Sequence, residues 1–355
     1  MNTVAEVAVP LLDNIETSPP TSQALKSVNI NAPELSNDEN LYITLENITY
    51  YKTLALEVAD ILKEYGVDNL EWRERAQKID YCGTRLAFDK EGKLIGANFC
   101  RQRVCPCCQR RRSLKVKSDF YRIQEALSGC AWVHLVLTVP NVYASELGNT
   151  LDDMQRCSSR FFRIAEVKRA FLGVARCTEV SYNDKVNTYH PHFHCLVAVK
   201  RSYFSSRNYL SRDRLRRLWS ACWDMRSLKI ENAKDGDIIS SGEAFDGYQL
   251  LQLYIAKADE GAVAEIAKYA VKPLELELPK PIKYTVLTWL LRALHGRRLI
   301  QTYGIVKQTA AALKIDLNAD PEEAEQVDRT NVRCYNWSWH DRRFISSPTE
   351  FYERG

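Results

Sequence analysis

The chain has 355 residues, 45% of them apolar and 26% charged, a composition that excludes a wholly disordered or fibrous protein. No apolar run approaches the roughly 20 residues needed to cross a bilayer, and no secretory signal is read at the N-terminus, so a cytoplasmic protein without a membrane partner is expected. The net charge of +4 is uneven: residues 1–40 carry −5, whereas residues 100–122 carry +7, the footprint of a polyanion binder.

Taken in chain order, residues 1–40 are rich in Ser, Thr, Asn and Pro and read as a disordered acidic leader. From Tyr42 to about Lys78 the apolar residues Leu54, Val58, Ile61, Leu62 and Tyr65 recur at helical spacing, closed by Gly66. This N-terminal helical segment (41–80) precedes a cysteine-rich module (81–112). A second helical stretch follows from about Arg111 to Leu127. Ala131–Val139 is rich in β-branched residues and reads as a buried strand. Leu151–Ala170 is helical in pattern. Gly173–Tyr182 and His192–Val199 read as strands joined by a hairpin loop, Asn183-Asp-Lys-Val-Asn. Ser211–Met225 reads as a helix, residues 228–258 as one or two strands, and Ala262–Val271 as a short helix stopped by Pro273. The order implies an α+β fold with a central antiparallel sheet flanked by helices. The main domain is placed at 113–305 and a C-terminal tail at 306–355.

Eleven cysteines without a secretion signal favour metal ligation or buried thiols over a disulfide framework. Cys82, Cys100, Cys105 and Cys108 follow C-x17-C-x4-C-x2-C, and Arg103-Val-Cys-Pro-Cys-Cys-Gln-Arg-Arg has the character of a zinc knuckle. Four thiolates close a tetrahedral structural Zn²⁺ site. Cys107 is an extra thiol inside the knuckle, and the C-x2-C spacing prefers Cys108. Arg103, Arg110, Arg111, Arg112 and Lys115 lie in and directly after the knuckle and are candidates for contact with a polyanion.

Three of the six histidines fall within five residues, His190-Pro-His192-Phe193-His194. On a strand His192 and His194 share a face, about 7 Å apart along the chain, with Phe193 and Cys195 pointing into the opposite, apolar layer. Such a pair grips one divalent ion and leaves positions open for substrate. Pairing about the hairpin loop favours Glu179 as a third ligand; His190 and His134 are the alternatives. Glu265 and Tyr269 lie four residues apart, on one face of the short helix, with Lys268 and Lys272 on an adjacent stripe.

In order, His134-Leu-Val-Leu-Thr138-Val, His190-Pro-His192-Phe-His194-Cys-Leu and Glu265-Ile-Ala-Lys-Tyr269-Ala-Val-Lys resemble the three motifs of plasmid rolling-circle replication initiators. These are HUH endonucleases, and the Glu four residues before the Tyr resembles one subgroup. The likeness covers roughly residues 80–305, and the four cysteines match it. It implies an HUH-type sheet of about five strands. It also implies sequence-specific nicking of single-stranded, hairpin-forming origin DNA, with Mg²⁺ or Mn²⁺ at the His pair. Tyr269 would remain joined to the 5′ phosphate and the released 3′-OH would prime synthesis. Lys268 or Lys272 would favour the phenolate or neutralise a phosphate, and Glu265 would activate water at termination. A host helicase, a DNA polymerase and a homodimer at the origin are the partners implied. Two other readings remain open at this stage: another HUH nickase (relaxase or transposase), and a non-catalytic zinc-knuckle regulator of replication.

Overall fold

The computed structural model describes residues 43–225, 251–258, 278–321 and 332–347. The leader, the residues 226–250 and the helix expected over 262–271 lie outside them.

The first helix, α1 (Leu45–Tyr65), starts where Thr44 and Asn47 exchange side-chain-to-backbone hydrogen bonds, a capping box that satisfies two of the free N–H groups. It ends at Gly66, whose N–H bonds to the Leu62 carbonyl. After α2 (Leu70–Tyr81) comes a hairpin, β1 (Arg85–Phe88) and β2 (Leu94–Ala97), which the sequence pattern does not announce. Helix α3 (Pro106–Ala126) begins five residues earlier than expected, with Pro106 in its first turn, where a missing N–H costs nothing. Cys107 and Cys108 therefore sit in the first helical turn.

The main sheet combines β3 (Cys130–Thr138), β4 (Gly173–Asn183), β5 (Thr188–Lys200), β6 (Leu253–Lys257) and β7 (Ile300–Tyr303). Its five strands run in the order β6-β3-β5-β4-β7, every pairing antiparallel. The β5 strand, which carries the histidine cluster, is thus central. Period-2 alternation assigns its two faces. Val133, Leu135 and Leu137 of β3, with Phe193, Cys195, Val197 and Val199 of β5, pack against α4 (Leu147–Phe161), α5 (Ala165–Ala170) and α6 (Arg212–Asp224). On the opposite face Ala175, Cys177, Leu196 and Ala198 pack under α3 and α8 (Gly304–Ala312). The rest of that second face carries the histidines. Gly173 lets β4 touch the start of α8, since a Cβ there would stand 2.6 Å from the Val306 nitrogen.

A second sheet, β2-β1-β8-β9, is completed by β8 (Arg333–Ser338) and β9 (Arg343–Ser347). The segment read as a tail thus returns to the cysteine module, with Ala87 opposite Cys334. One apolar core joins α1, α2, the four-cysteine region and Leu287 of α7 (Lys280–Leu294), with Tyr335 and Phe344 packed against it. The boundaries drawn at 80/81 and 305/306 cross this shared core. Among the described residues no helix is long and apolar enough to span a membrane.

Candidate active site

The β4–β5 hairpin closes through Asp184–Asn187, with Asn183 opposite Thr188, and this register sets Glu179 directly opposite His192. The left-handed backbone that turns the loop falls on Asn187, φ 50°, a residue type that tolerates it. Glu179, His192 and His194 come together with ligand atoms within 4.8 Å of one another. The Glu179 Oε2 lies 3.2 Å from His194 Nε2 and 3.7 Å from His192 Nε2. One carboxylate and two imidazoles on a rigid central strand form a donor set that fits a divalent cation and leaves coordination positions open.

The outer partners fix how the rings are presented. His192 Nδ1 donates to the His190 carbonyl at 3.1 Å, leaving Nε2 facing the carboxylate. His194 Nδ1 lies 3.1 Å from His134 Nε2, and the two rings stack at 5.3 Å. A cation on His194 Nε2 needs that nitrogen's lone pair, so the proton of this bond then sits on His194 and His134 accepts it. The sequence left His190 and His134 open as third ligands; both stand outside the ligand group. His190 instead bonds Asn141 Oδ1 through Nδ1 at 2.8 Å. Burial, and then the charge of His192, bring its pKa down to about 4.

Behind the histidines, in the apolar layer, the Arg176 guanidinium lies 3.9 Å from the Phe193 ring centre. It is fully buried and hydrogen-bonded to Ser158, Gln155 and Gln301. This cation was not picked out from the sequence, and a lone Arg on a strand carries no signal that would single it out. Tyr254 of β6 was missed as well. It pairs with Val136, which pairs with His194, so it stands on the histidine row two strands away. Its ring meets His134 edge-on at 6.1 Å.

The second cluster is Cys82, Cys100, Cys105 and Cys108, whose sulfurs also lie within 4.8 Å of one another. Cys82 and Cys108 Sγ are 3.5 Å apart, and Cys100 and Cys108 Sγ 3.7 Å. A tetrahedron with metal–sulfur bonds of about 2.3 Å has edges of about 3.8 Å, so the thiols are spaced for one ion. Cys107 is buried beside them but stands outside the group. Lys52, also fully buried, donates to the carbonyls of Asp80 and Cys82 and braces the module from α1. Of the remaining cysteines, Cys157, Cys177, Cys195 and Cys222 are core residues, while Cys130 and Cys334 are half-buried.

The basic run is engaged within the molecule. Arg103 donates to the carbonyls of Leu294 and Arg297 at 2.7 and 2.8 Å. Arg110 lies over Tyr51 and Arg111 over Phe99. Arg112 pairs with Asp320, and Lys115 bonds Asp119 at 2.7 Å and the Asp316 carbonyl at 2.6 Å. The Arg112–Asp320 and Lys115–Asp316 contacts join α3 to a segment some 200 residues away. Glu265, Lys268, Tyr269 and Lys272 lie outside the described residues.

The chain thus carries a histidine–carboxylate centre on the central strand of an antiparallel sheet and a separate four-thiol knuckle. The sequence profile of the family described as "Replication protein" matches residues 91–345, and the chain belongs to that family. Three curated proteins, each named "Protein rep", are similar to it. That of Streptococcus pneumoniae serotype 2 is 34% identical over 275 residues, 74% of this chain and 78% of that protein. That of a Bacillus species is 31% identical, covering 74% and 86%. The Bacillus amyloliquefaciens protein is 32% identical, covering 72% and 79%. No solved structure matches the chain.

Proposed function

We propose that the protein initiates plasmid rolling-circle replication as a metal-dependent nickase and strand transferase, acting on single-stranded origin DNA. The observation that carries this reading is the convergence of Glu179, His192 and His194 on the central strand. It gains support from membership in the replication protein family.

Tyr269 is the proposed nucleophile. Its Oη–P bond forms as the P–O3′ bond breaks, leaving a 5′-phosphotyrosyl protein and a 3′-OH that takes up a proton and serves as primer. A phenol with an ordinary pKa near 10 is a weak nucleophile at neutral pH, so the phenolate and the in-line transition state both need positive charge nearby. Glu179, His192 and His194 would hold Mg²⁺ or Mn²⁺, which would supply Lewis acidity toward the scissile phosphate. Lys268 and Lys272 neutralise phosphate or phenolate charge. Glu265 takes the proton from a water molecule at termination, so that the regenerated origin is cleaved by hydrolysis.

The knuckle holds Zn²⁺ as a structural ion. A four-thiolate site is coordinatively closed, and it anchors the start of α3 next to the β1–β8 pairing. The test is a denaturing-gel assay with single-stranded origin fragments, in Mn²⁺ and in EDTA. A metal-dependent protein–DNA band that vanishes in Tyr269→Phe is expected. DNA binding without any adduct would remove the nickase reading and favour a zinc-knuckle regulator.

A further inference from the structure

With Arg103, Arg111, Arg112 and Lys115 engaged in internal contacts, cations available to a polyanion must be sought elsewhere. The segment Lys200–Ser211, which links β5 to α6, contains Lys200, Arg201 and Arg207 and no acid. All three cations are exposed, as is Lys257 on the adjoining edge strand. Lys200 and Arg207 form no hydrogen bond or ion pair among the described residues. On the helices near the loop, Asp213 is matched by Arg217 at 2.9 Å and Glu166 by Arg214 at 3.1 Å.

Aromatic rings stand among these charges. Phe204 is 40% and Tyr209 46% exposed, whereas the neighbouring Tyr203 is 1% exposed. Tyr203 holds the loop together, since its hydroxyl exchanges hydrogen bonds with the Leu210 backbone and its ring packs on Phe171. Phe204 and Tyr209 sit against it, 6.1 Å apart and tilted, with Lys257 Nζ 5.3 Å from the Phe204 ring. Two large rings held open to solvent by a buried third ring, and bordered by exposed cations, match what a single strand presents. Its bases stack on aromatic faces while its phosphates seek positive charge. A duplex keeps its base faces stacked inward and can use the charges alone.

We propose that the β5–α6 loop, through Phe204, Tyr209, Lys200, Arg207 and Lys257, is a binding surface for single-stranded DNA. The loop leaves β5 six residues beyond His194, roughly 20 Å along the strand, so it holds DNA flanking the metal centre and not the scissile phosphate itself. This deepens the proposed function and rests on it for the identity of the DNA; the contact itself does not require nicking.

The experiment is fluorescence anisotropy of the full chain with a labelled 20-nucleotide oligo-dT and with a duplex of equal length, at several salt concentrations, without added divalent metal. Phe204→Ala/Tyr209→Ala should weaken single-strand binding about tenfold or more, with little change for the duplex. Phe204→Tyr/Tyr209→Phe should retain affinity. Lys200→Gln/Arg207→Gln should flatten the salt dependence by about 1.4 in log–log slope, about 0.7 for each phosphate contact. Unchanged single-strand binding in the double alanine variant, its melting temperature being that of the wild type, overturns the proposal. So does an equal loss on single strand and duplex, or a loss of affinity in the ring-conserving variant. An adduct-forming protein whose binding ignores Phe204 and Tyr209 refutes this surface alone. Ring-dependent binding without an adduct refutes only the nickase.

Discussion

Glu179 and His192 stand directly opposite each other in the β4–β5 hairpin, and the Glu179 carboxylate bridges toward both His192 and His194. A four-residue loop sets this register. Slipping it by one residue would turn Glu179 to the apolar face and separate the ligands. The centre is therefore as rigid as the sheet, the condition under which a weakly held hard cation is bound at a defined position.

Replacement of the carboxylate tests the centre itself. Glu179→Ala leaves two imidazoles, and Mn²⁺ affinity, followed by electron paramagnetic resonance of free Mn²⁺, should fall by more than the 10–100-fold typical of losing an outer partner. Affinity equal to that of wild type would place the ion elsewhere.

With a cation on His194 Nε2, His134 would accept the His194 Nδ1 proton and so fix that tautomer. His134→Ala should weaken Mn²⁺ binding by about 10–100-fold. His134→Gln, which offers a side-chain carbonyl to the same proton, should recover part of that loss. If alanine and glutamine behave alike in the same titration, the hydrogen bond has no bearing on the ion.

The two adjacent cysteines should separate cleanly. Cys108→Ser removes a sulfur from the four-thiol group, and elemental analysis should show the structural metal dropping from about one per chain toward zero, with a lowered melting temperature. Cys107→Ser lies outside the group and should retain the metal. Equal metal loss in both would show that the pair share the role.

Arg103 binds two backbone carbonyls at and beyond the end of α7. Hydrogen bonds from a charged donor contribute about 1.5–3 kcal/mol, so Arg103→Ala should destabilise the fold by about 2 kcal/mol in urea denaturation. Its single-strand salt slope should stay that of the wild type. A flattened slope with unchanged stability would return Arg103 to direct phosphate contact.

The sequence by itself determined what depends on short range. The alternation His192-Phe193-His194 sorts side chains to two faces of any strand, and a short hairpin loop carries Glu179 to the histidines without help from the rest of the chain. The spacing of Cys82, Cys100, Cys105 and Cys108 likewise announces a four-thiol cluster, and the strand order announces an antiparallel sheet. Only the tertiary structure decided the contacts between distant segments. His134 reaches His194 because β3 pairs with β5, although 60 residues separate them. The C-terminal hairpin completes the cysteine module's sheet through pairing with β1. The basic run looks like a DNA footprint in one dimension, yet Asp320, Asp316 and the carbonyls at the end of α7 come back to meet it. Periodicity and spacing record the direction of a side chain from its own backbone; they carry no information on which remote group arrives to satisfy its charge.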